Sequence, residues 1–170
     1  MKILLTGANG YIGKRLLPVL LNRGHEVVCC VRDKNRFPKD GFYAHPKISI
    51  YEVDFLKDNK PDPIIKKVDA AYYLIHSMSD NTESFEKLEA LSAKNFIALI
   101  QQTGAKQIIY LGGITNQEKL SKHLASRRKV DDILRSGGIP VTSLNAGIIV
   151  GSGSSSFEII RDLVEKLPVM

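Results

Sequence analysis

A chain of 170 residues, 44% apolar and 25% charged, has the size and composition of one globular domain with a substantial core. No apolar run approaches the roughly 20 residues that a membrane-spanning helix needs. The net charge of +6 comes with basic clusters at 32–36, 57–67 and 119–129 that lack interleaved aromatics, which argues against a nucleic-acid surface. The latter two clusters read as solvated helix faces and the first also as a positive rim around an anionic ligand.

The first thirteen residues, MKILLTGANGYIG, organise the rest. An apolar run (Ile3, Leu4, Leu5) stops at Thr6-Gly7, glycines follow at 7, 10 and 13, and then a run able to form a helix begins. Strand, glycine turn and helix in this order make a phosphate cradle. Gly7 lets the chain reverse, Gly10 leaves room for a pyrophosphate, and Gly13 permits close helix packing. The first-turn amides around Tyr11 and Ile12 aim unpaired donors and the positive end of the helix dipole at the phosphates. The alternative is an ordinary strand, turn and helix with incidental glycines.

Residues 14–23 (KRLLPVLLNR) predict a helix with Leu16, Leu17, Leu20 and Leu21 on one face, weakened or kinked at Pro18 and closed by Gly24. Residues 26–31 (EVVCCV) predict a strand buried on both faces. Cys29 and Cys30 then point to opposite faces, as two buried thiols and not a disulfide; a vicinal redox pair or metal site is the other reading, and no further cysteine supports it. Residues 32–47 are a loop broken by Pro38, Gly41 and Pro46. A third strand is expected at 48–53, a short helical stretch at 62–67 after Pro61, and a fourth strand at 68–75. The stretch from Asp80 to Glu83 looks like a capped helix start, followed by helical spacing of Phe85, Leu88, Leu91, Phe96, Leu99 and Ile100 up to Thr103. A fifth strand at 107–111 precedes Gly112-Gly113. A capping box at 115–118 opens a basic helix to about residue 135, a sixth strand covers 140–144, and a last helix runs from 155 to 166 behind a Gly/Ser loop at 151–156.

Strands alternating with helices predict an α/β fold, a doubly wound parallel sheet of about six strands with helices on both faces. The unusual stretches all follow strands, so they converge on the carboxyl edge where such sheets bind ligands. They are the glycine turn, Arg32, Asp54, His76-Ser77, Gly112-Gly113 and Asn145–Gly147.

TGANGYIG resembles the glycine signature of the short-chain dehydrogenase/reductases, in the spacing of their extended and atypical branches, which include sugar-nucleotide epimerases and NmrA-like proteins. The likeness spans essentially the whole chain, through YYLIHSM, IIYLGGI and LNAGIIVGSGSSSFEIIRDLVEKLPVM. It implies a Rossmann domain over residues 1–170 and a bound NADP or NAD. Its pyrophosphate would sit on Gly7, Ala8, Asn9, Gly10, Tyr11, Ile12 and Gly13, with Arg32, Asp54, Phe55, Ile75, His76 and Ser77 as the other cofactor-binding candidates. The acid that selects NAD falls on Val31 in the resemblance, so Arg32 favours NADP. Asp33, about 20 residues past the glycines, is the counter-evidence. Asp54 resembles an adenine-contacting aspartate, although a loop cap explains it equally. At 76–77 the backbone is the expected contact, and His76 is given no proton-transfer role.

The catalytic pair of such dehydrogenases, tyrosine and lysine one helical turn apart, is not found: its positions fall on His123 and Arg127, which also read as ordinary residues of a basic helix. Gly112 and Gly113 replace the usual hydroxyl residues, and Tyr110 lies within a strand. The catalytic residues therefore stay unknown, and no metal ligands are expected. Related proteins continue past this point into a substrate-binding portion, so a truncated chain or a cofactor domain is expected. The resemblance implies an oxidoreductase or epimerase-like enzyme with a small-molecule substrate, or a non-catalytic dinucleotide sensor with a protein partner. A structural subunit retaining the nucleotide is a third reading. A strand starting at once leaves no room for a signal peptide, so a cytoplasmic protein without nucleic-acid or membrane partners is expected.

Overall fold

The computed structural model describes residues 1–57, 62–76, 82–114 and 121–167. Six strands, β1 (Lys2–Leu5), β2 (Glu26–Val31), β3 (Ile48–Glu52), β4 (Ala70–Tyr73), β5 (Ile108–Gly113) and β6 (Val141–Ala146), form one sheet. All pairs are parallel and the order is β3-β2-β1-β4-β5-β6. Among the described residues four helices connect or follow them: α1 (Tyr11–Asn22), α2 (Thr82–Ile100), α3 (Lys122–Ser136) and α4 (Ser155–Lys166). The order reverses at β1 and β4, which opens a crevice above their carboxyl ends.

Alternation along the central strands divides the core in two. Ile3 and Leu5 of β1, with Val27, Cys29 and Val31 of β2, pack beneath Leu17, Leu20 and Leu21 of α1. Leu4, Val28 and Cys30 face the other way, into a larger cluster with Phe96, Ile97 and Ile100 of α2 and Val130 and Leu134 of α3. A strand lined on both faces has no solvated side, which is why β2 is apolar at five successive positions. Each fully buried aliphatic side chain contributes about 1.5–3 kcal/mol through loss of apolar surface from water.

Both cysteines are free and buried, one in each half of the core. Burial pushes the Cys29 thiol up to about 12 and holds Cys30 well above its ordinary range. Neither is expected to react with iodoacetamide at about pH 8 while the protein is folded, because the thiolate is the nucleophile. Mass spectrometry should find two alkylated cysteines only after denaturation; labelling of the native protein at either position would contradict the packing.

Several boundaries differ from those the sequence predicts. α1 begins at Tyr11 and not at residue 14, so Gly13 lies inside its first turn, and the helix runs through Pro18 to Asn22. β4 is shorter than 68–75, while β5 extends through Gly112 and Gly113, which pair with Asn145 and Ala146. Glycine is suited to the end of β5, because a Cβ on Gly113 would come within 2.9 Å of Leu124 on α3. The stretch at 62–67 is a single 3-10 turn, Pro63–Ile65, with Asp62 accepting from the Ile64 amide at 2.8 Å. The loop at 32–47 holds two such turns, anchored by buried Phe37 edge-on to Tyr43. α3 starts at Lys122 under a Ser121 cap, while Asp80 and the capping box at 115–118 lie outside the described residues.

Candidate functional site

Three glycines knot the end of β1 to the start of α1. Gly7 has φ +63°, and a Cβ there would stand 3.0 Å from the Leu74 carbonyl oxygen. A Cβ on Gly13 would come within 2.2 Å of the Gly7 carbonyl oxygen and 2.8 Å of the Ala8 Cα. Gly10 is the N-cap of α1, and its amide donates to the Gly7 carbonyl at 2.9 Å. Just before the turn, buried Thr6 donates its hydroxyl to the Tyr72 carbonyl at 3.0 Å and accepts from the Leu74 amide at 2.9 Å. That hydroxyl ties β1 to β4 at the reversal of strand order.

The first backbone bond of α1 runs from the Lys14 amide to the Gly10 carbonyl at 3.0 Å. Among the described residues no hydrogen bond engages the amides of Asn9, Tyr11, Ile12 or Gly13. Helix first-turn donors have no intrahelical partner. Asn9 and Gly10 are exposed, and Gly7, Tyr11 and Ile12 half-buried. These amides, with the positive end of the α1 dipole and without side chains at the glycines, fit the phosphates of a dinucleotide.

The turn opens into a cleft of about 700 Å³ at the carboxyl edge of the sheet, within the range of ligand pockets. Of the candidates named from the sequence, Gly7, Asn9, Gly10, Tyr11, Ile12 and Gly13 line it, as do Arg32, Asp54, Phe55, Ile75 and His76. Ala8 does not: it is fully buried in the core half beneath α1. Ser77 lies outside the described residues. The exposed Arg32 guanidinium has no ion pair or hydrogen bond among the described residues, whereas Asp33 caps the next turn by accepting from the Asn35 amide at 2.8 Å. Asp54 accepts from the Leu56 amide at 3.1 Å and lies 3.9 Å from the Lys57 ammonium, so it also closes the turn after β3.

Sequence reasoning missed part of the wall. Leu88 and Ser92 of α2 line the cleft, as do Ile149 and Ser154 after β6, beside Gly147 of the stretch expected at this edge. The Gly/Ser loop rests on α1: Arg15 stacks 3.7 Å over the Tyr11 ring and donates to the Ser152 carbonyl at 2.6 Å. A second hollow, of about 500 Å³, lies at the amino ends of the strands beside Met1, Asp69 and Pro140, where Asp69 is committed to the Lys2 amide at 2.7 Å.

The least anticipated feature is a buried carboxylate. Glu89 of α2 is 3% exposed, with one oxygen 2.8 Å from His76 Nδ1 and the other accepting from the Ser126 hydroxyl at 2.7 Å. Burial pushes its carboxyl up, but the bonds from His76 and Ser126 and the Arg127 charge outweigh this and hold it below the ordinary 4.5. The sequence signal was Glu89 on the stripe of Phe85, Ser92 and Phe96, one and two turns apart. A carboxyl depressed in the folded state stabilises the fold above its unfolded value and loses that contribution as pH falls through the folded one. The melting-temperature difference between wild type and Glu89→Gln is therefore expected to shrink as the pH falls below about 4.5. A difference that keeps its size from about pH 5 down to about pH 3 would contradict the ionised carboxylate.

His123 is exposed on α3 and Arg127 half-buried one turn on. Buried Tyr110 donates its hydroxyl to the Arg127 carbonyl at 3.2 Å, so it serves packing.

The strand order and the glycine turn at its reversal define a Rossmann-type nucleotide-binding fold. Residues 7–165 match the family described as NAD(P)H-binding, and the chain belongs to that family. It is 27% identical over 201 residues to the hybrid PKS-NRPS synthetase poxE of Penicillium oxalicum (strain 114-2 / CGMCC 5302), covering 96% of this chain and 5% of that one. It is also 27% identical over 118 residues to a 3-beta-hydroxysteroid dehydrogenase of Mycolicibacterium neoaurum, covering 64% of this chain and 31% of the relative. The chain thus spans a third or less of the length of these two curated relatives. Among solved structures, UDP-glucuronic acid 4-epimerase from Bacillus cereus in complex with NAD superposes with a TM-score of 0.77 at 16% identity, over 99% of this chain and 64% of that one. A putative NAD-dependent epimerase/dehydratase from Bacillus halodurans gives 0.72 at 21% identity, over 91% and 74%. Among the described residues no helix is long and apolar enough to cross a membrane.

Proposed function

We propose that the protein binds a nicotinamide dinucleotide in the cleft, NADP(H) in preference to NAD(H), and acts as an oxidoreductase or epimerase-like enzyme. The observation that carries this reading is the row of uncommitted amides at Asn9, Tyr11 and Ile12 at the cleft. Bound there, the dinucleotide would supply hydride transfer to or from a small-molecule carbon centre. The chain's own share is to seat the diphosphate on the glycine turn and to present Phe55 and Ile75 as apolar wall.

Support for NADP(H) is electrostatic. Among the described residues Arg32 lines the cleft without an ion pair, and it can offer a forked donor to a ribose phosphate, while Asp33 is spent on a local cap. A ligand selective for the folded state raises stability by about 2.7 kcal/mol at a hundredfold excess over its Kd. NADPH is therefore expected to raise the melting temperature more than NADH at equal concentration. Arg32→Ala should weaken NADPH binding about tenfold or more, as loss of a charge-assisted hydrogen bond of about 1.5–3 kcal/mol implies, and leave NADH nearly unchanged. Equal losses for both would remove the NADP preference; no shift with either at millimolar concentration would remove the cofactor reading.

The competing reading is a non-catalytic dinucleotide sensor acting on a protein partner. It draws on His123 and Arg127 standing where a tyrosine and lysine are expected. NADPH oxidation in the presence of aldehydes and ketones favours the enzyme, and persistent binding without turnover favours the sensor.

A further inference from the structure

We propose that His76 is the proton-transferring residue of the cleft, positioned by Glu89, which Ser126 in turn holds. The assignment rests on the dinucleotide reading above and names the group that does the work of the missing tyrosine–lysine pair. His76 follows β4 at the point where the strand order reverses, lines the cleft, and keeps its side chain 28% exposed. Its Nδ1 donates to Glu89 at 2.8 Å, and Nε2 has no partner among the described residues. A carboxylate on Nδ1 fixes the tautomer and the ring plane, leaving Nε2 as the atom that gives or takes a proton.

Two aromatic rings flank the imidazole. Phe85 meets it edge-on at 5.6 Å between centroids and His123 at 5.8 Å. The Ser126 hydroxyl occupies the second oxygen of Glu89, so the carboxylate cannot rotate without losing a buried bond. Among the described residues the charged or titratable groups around this pair are His123 and Arg127 from α3, Tyr73 from β4 and Tyr110 from β5; Arg127 acts on Glu89 through its charge. A buried glutamate needing only a counter-charge would be served by any cation. What suits this one to catalysis is a partner with a second, uncommitted nitrogen at a ligand cleft.

The step balances simply. A carbonyl compound gains a hydride at carbon from the reduced nicotinamide ring and a proton at oxygen from Nε2. The products are the alcohol, the oxidised dinucleotide and a neutral imidazole, which recovers its proton from water.

The test begins without turnover, using diethyl pyrocarbonate and peptide mass spectrometry on the wild-type chain. His76 is expected to be carbethoxylated in the free protein and shielded at least tenfold by saturating NADPH, with His25 at the opposite edge of the sheet unaffected. His76→Asn, whose amide nitrogen replaces Nδ1 against Glu89 but which has no counterpart of Nε2, should keep the fold and the NADPH melting shift. It should lose about 10²–10⁴-fold in NADPH oxidation with a panel of aldehydes and ketones. Glu89→Gln should change the pH profile of that turnover, which a merely structural glutamate would leave in place. A wild type that shows no melting shift with NADPH or NADH fails the cofactor reading and this assignment with it. With the shift present, the assignment alone falls if His76 is unmodified, if it is modified equally with and without NADPH, if His76→Asn turns over like wild type, or if the wild type oxidises NADPH with none of the panel.

Discussion

Gly13→Ala is expected to abolish NADPH binding and to destabilise the unliganded protein. The added Cβ would stand 2.2 Å from the Gly7 carbonyl oxygen and 2.8 Å from the Ala8 Cα, both of them backbone that cannot swing aside. The turn must then separate from the helix, which disperses the amides of Tyr11 and Ile12 that face the cleft. Overpacking of this kind costs about 1–3 kcal/mol, and each kcal/mol moves the melting temperature of a domain this size by about 2–4 °C. Calorimetry with and without NADPH checks both parts. A variant that melts like wild type and still shifts with NADPH would show that the three-glycine knot is not what seats the ligand. Gly24→Ala is the informative comparison: its φ is +82° with nothing within 4 Å of the added Cβ, so it strains a helix end without touching the cleft.

Phe96→Ala carries the largest expected loss of stability. The ring is fully buried between α2 and the sheet, 4.8 Å between centroids from Tyr73 and 5.8 Å from Phe55. Truncating a buried phenylalanine costs about 3–5 kcal/mol, through lost transfer energy and an unfilled cavity. Urea unfolding should show the midpoint falling with little change in slope. The effect should reach the cleft, since Phe55 leans on Phe96 and lines the ligand space; NADPH affinity should weaken severalfold. A loss below about 1 kcal/mol would mean that the cavity collapses, and that this face of α2 is not the keystone of the larger core half. Val19→Ala, on the solvent side of α1 and 48% exposed, should change stability by less than about 0.5 kcal/mol.

How far the fold could be read in advance depended on how local the cause was. Residues 26–31 were expected as a strand and β2 spans Glu26–Val31, because an apolar run between Gly24 and Arg32 has no other way to bury both faces. The opposite facing of Cys29 and Cys30 followed from the two-residue period alone. Boundaries slipped where distant segments decide them. Gly112 and Gly113 read as a break after β5, but they continue the ladder because Asn145 and Ala146 lie alongside. α1 takes in Gly13, since its cost in a helix, about 1 kcal/mol, is offset by an approach to Gly7 that no other residue permits.

The site divides in the same way. Gly7, Gly10 and Gly13 carry their geometry in their spacing, and Arg32 and Asp54 follow strands whose ends are legible. Ala8 stood among them by adjacency alone, and its side chain points into the core. His76 was given only a backbone role, because a lone histidine says nothing about its partner. Its bond to Glu89 joins the end of β4 to the second turn of α2, and the third member, Ser126, comes from another helix. No local pattern marks three polar residues drawn from three elements. They become visible only once the sheet has brought the elements together.

The most direct test of the account is amide NMR of the 15N-labelled protein titrated with NADPH. The amides of Asn9, Tyr11, Ile12 and Gly13 are expected to move furthest, with smaller changes at Arg32, Asp54 and His76. Saturable binding that leaves those four amides in place while others respond would contradict the claim that the glycine turn receives the diphosphate.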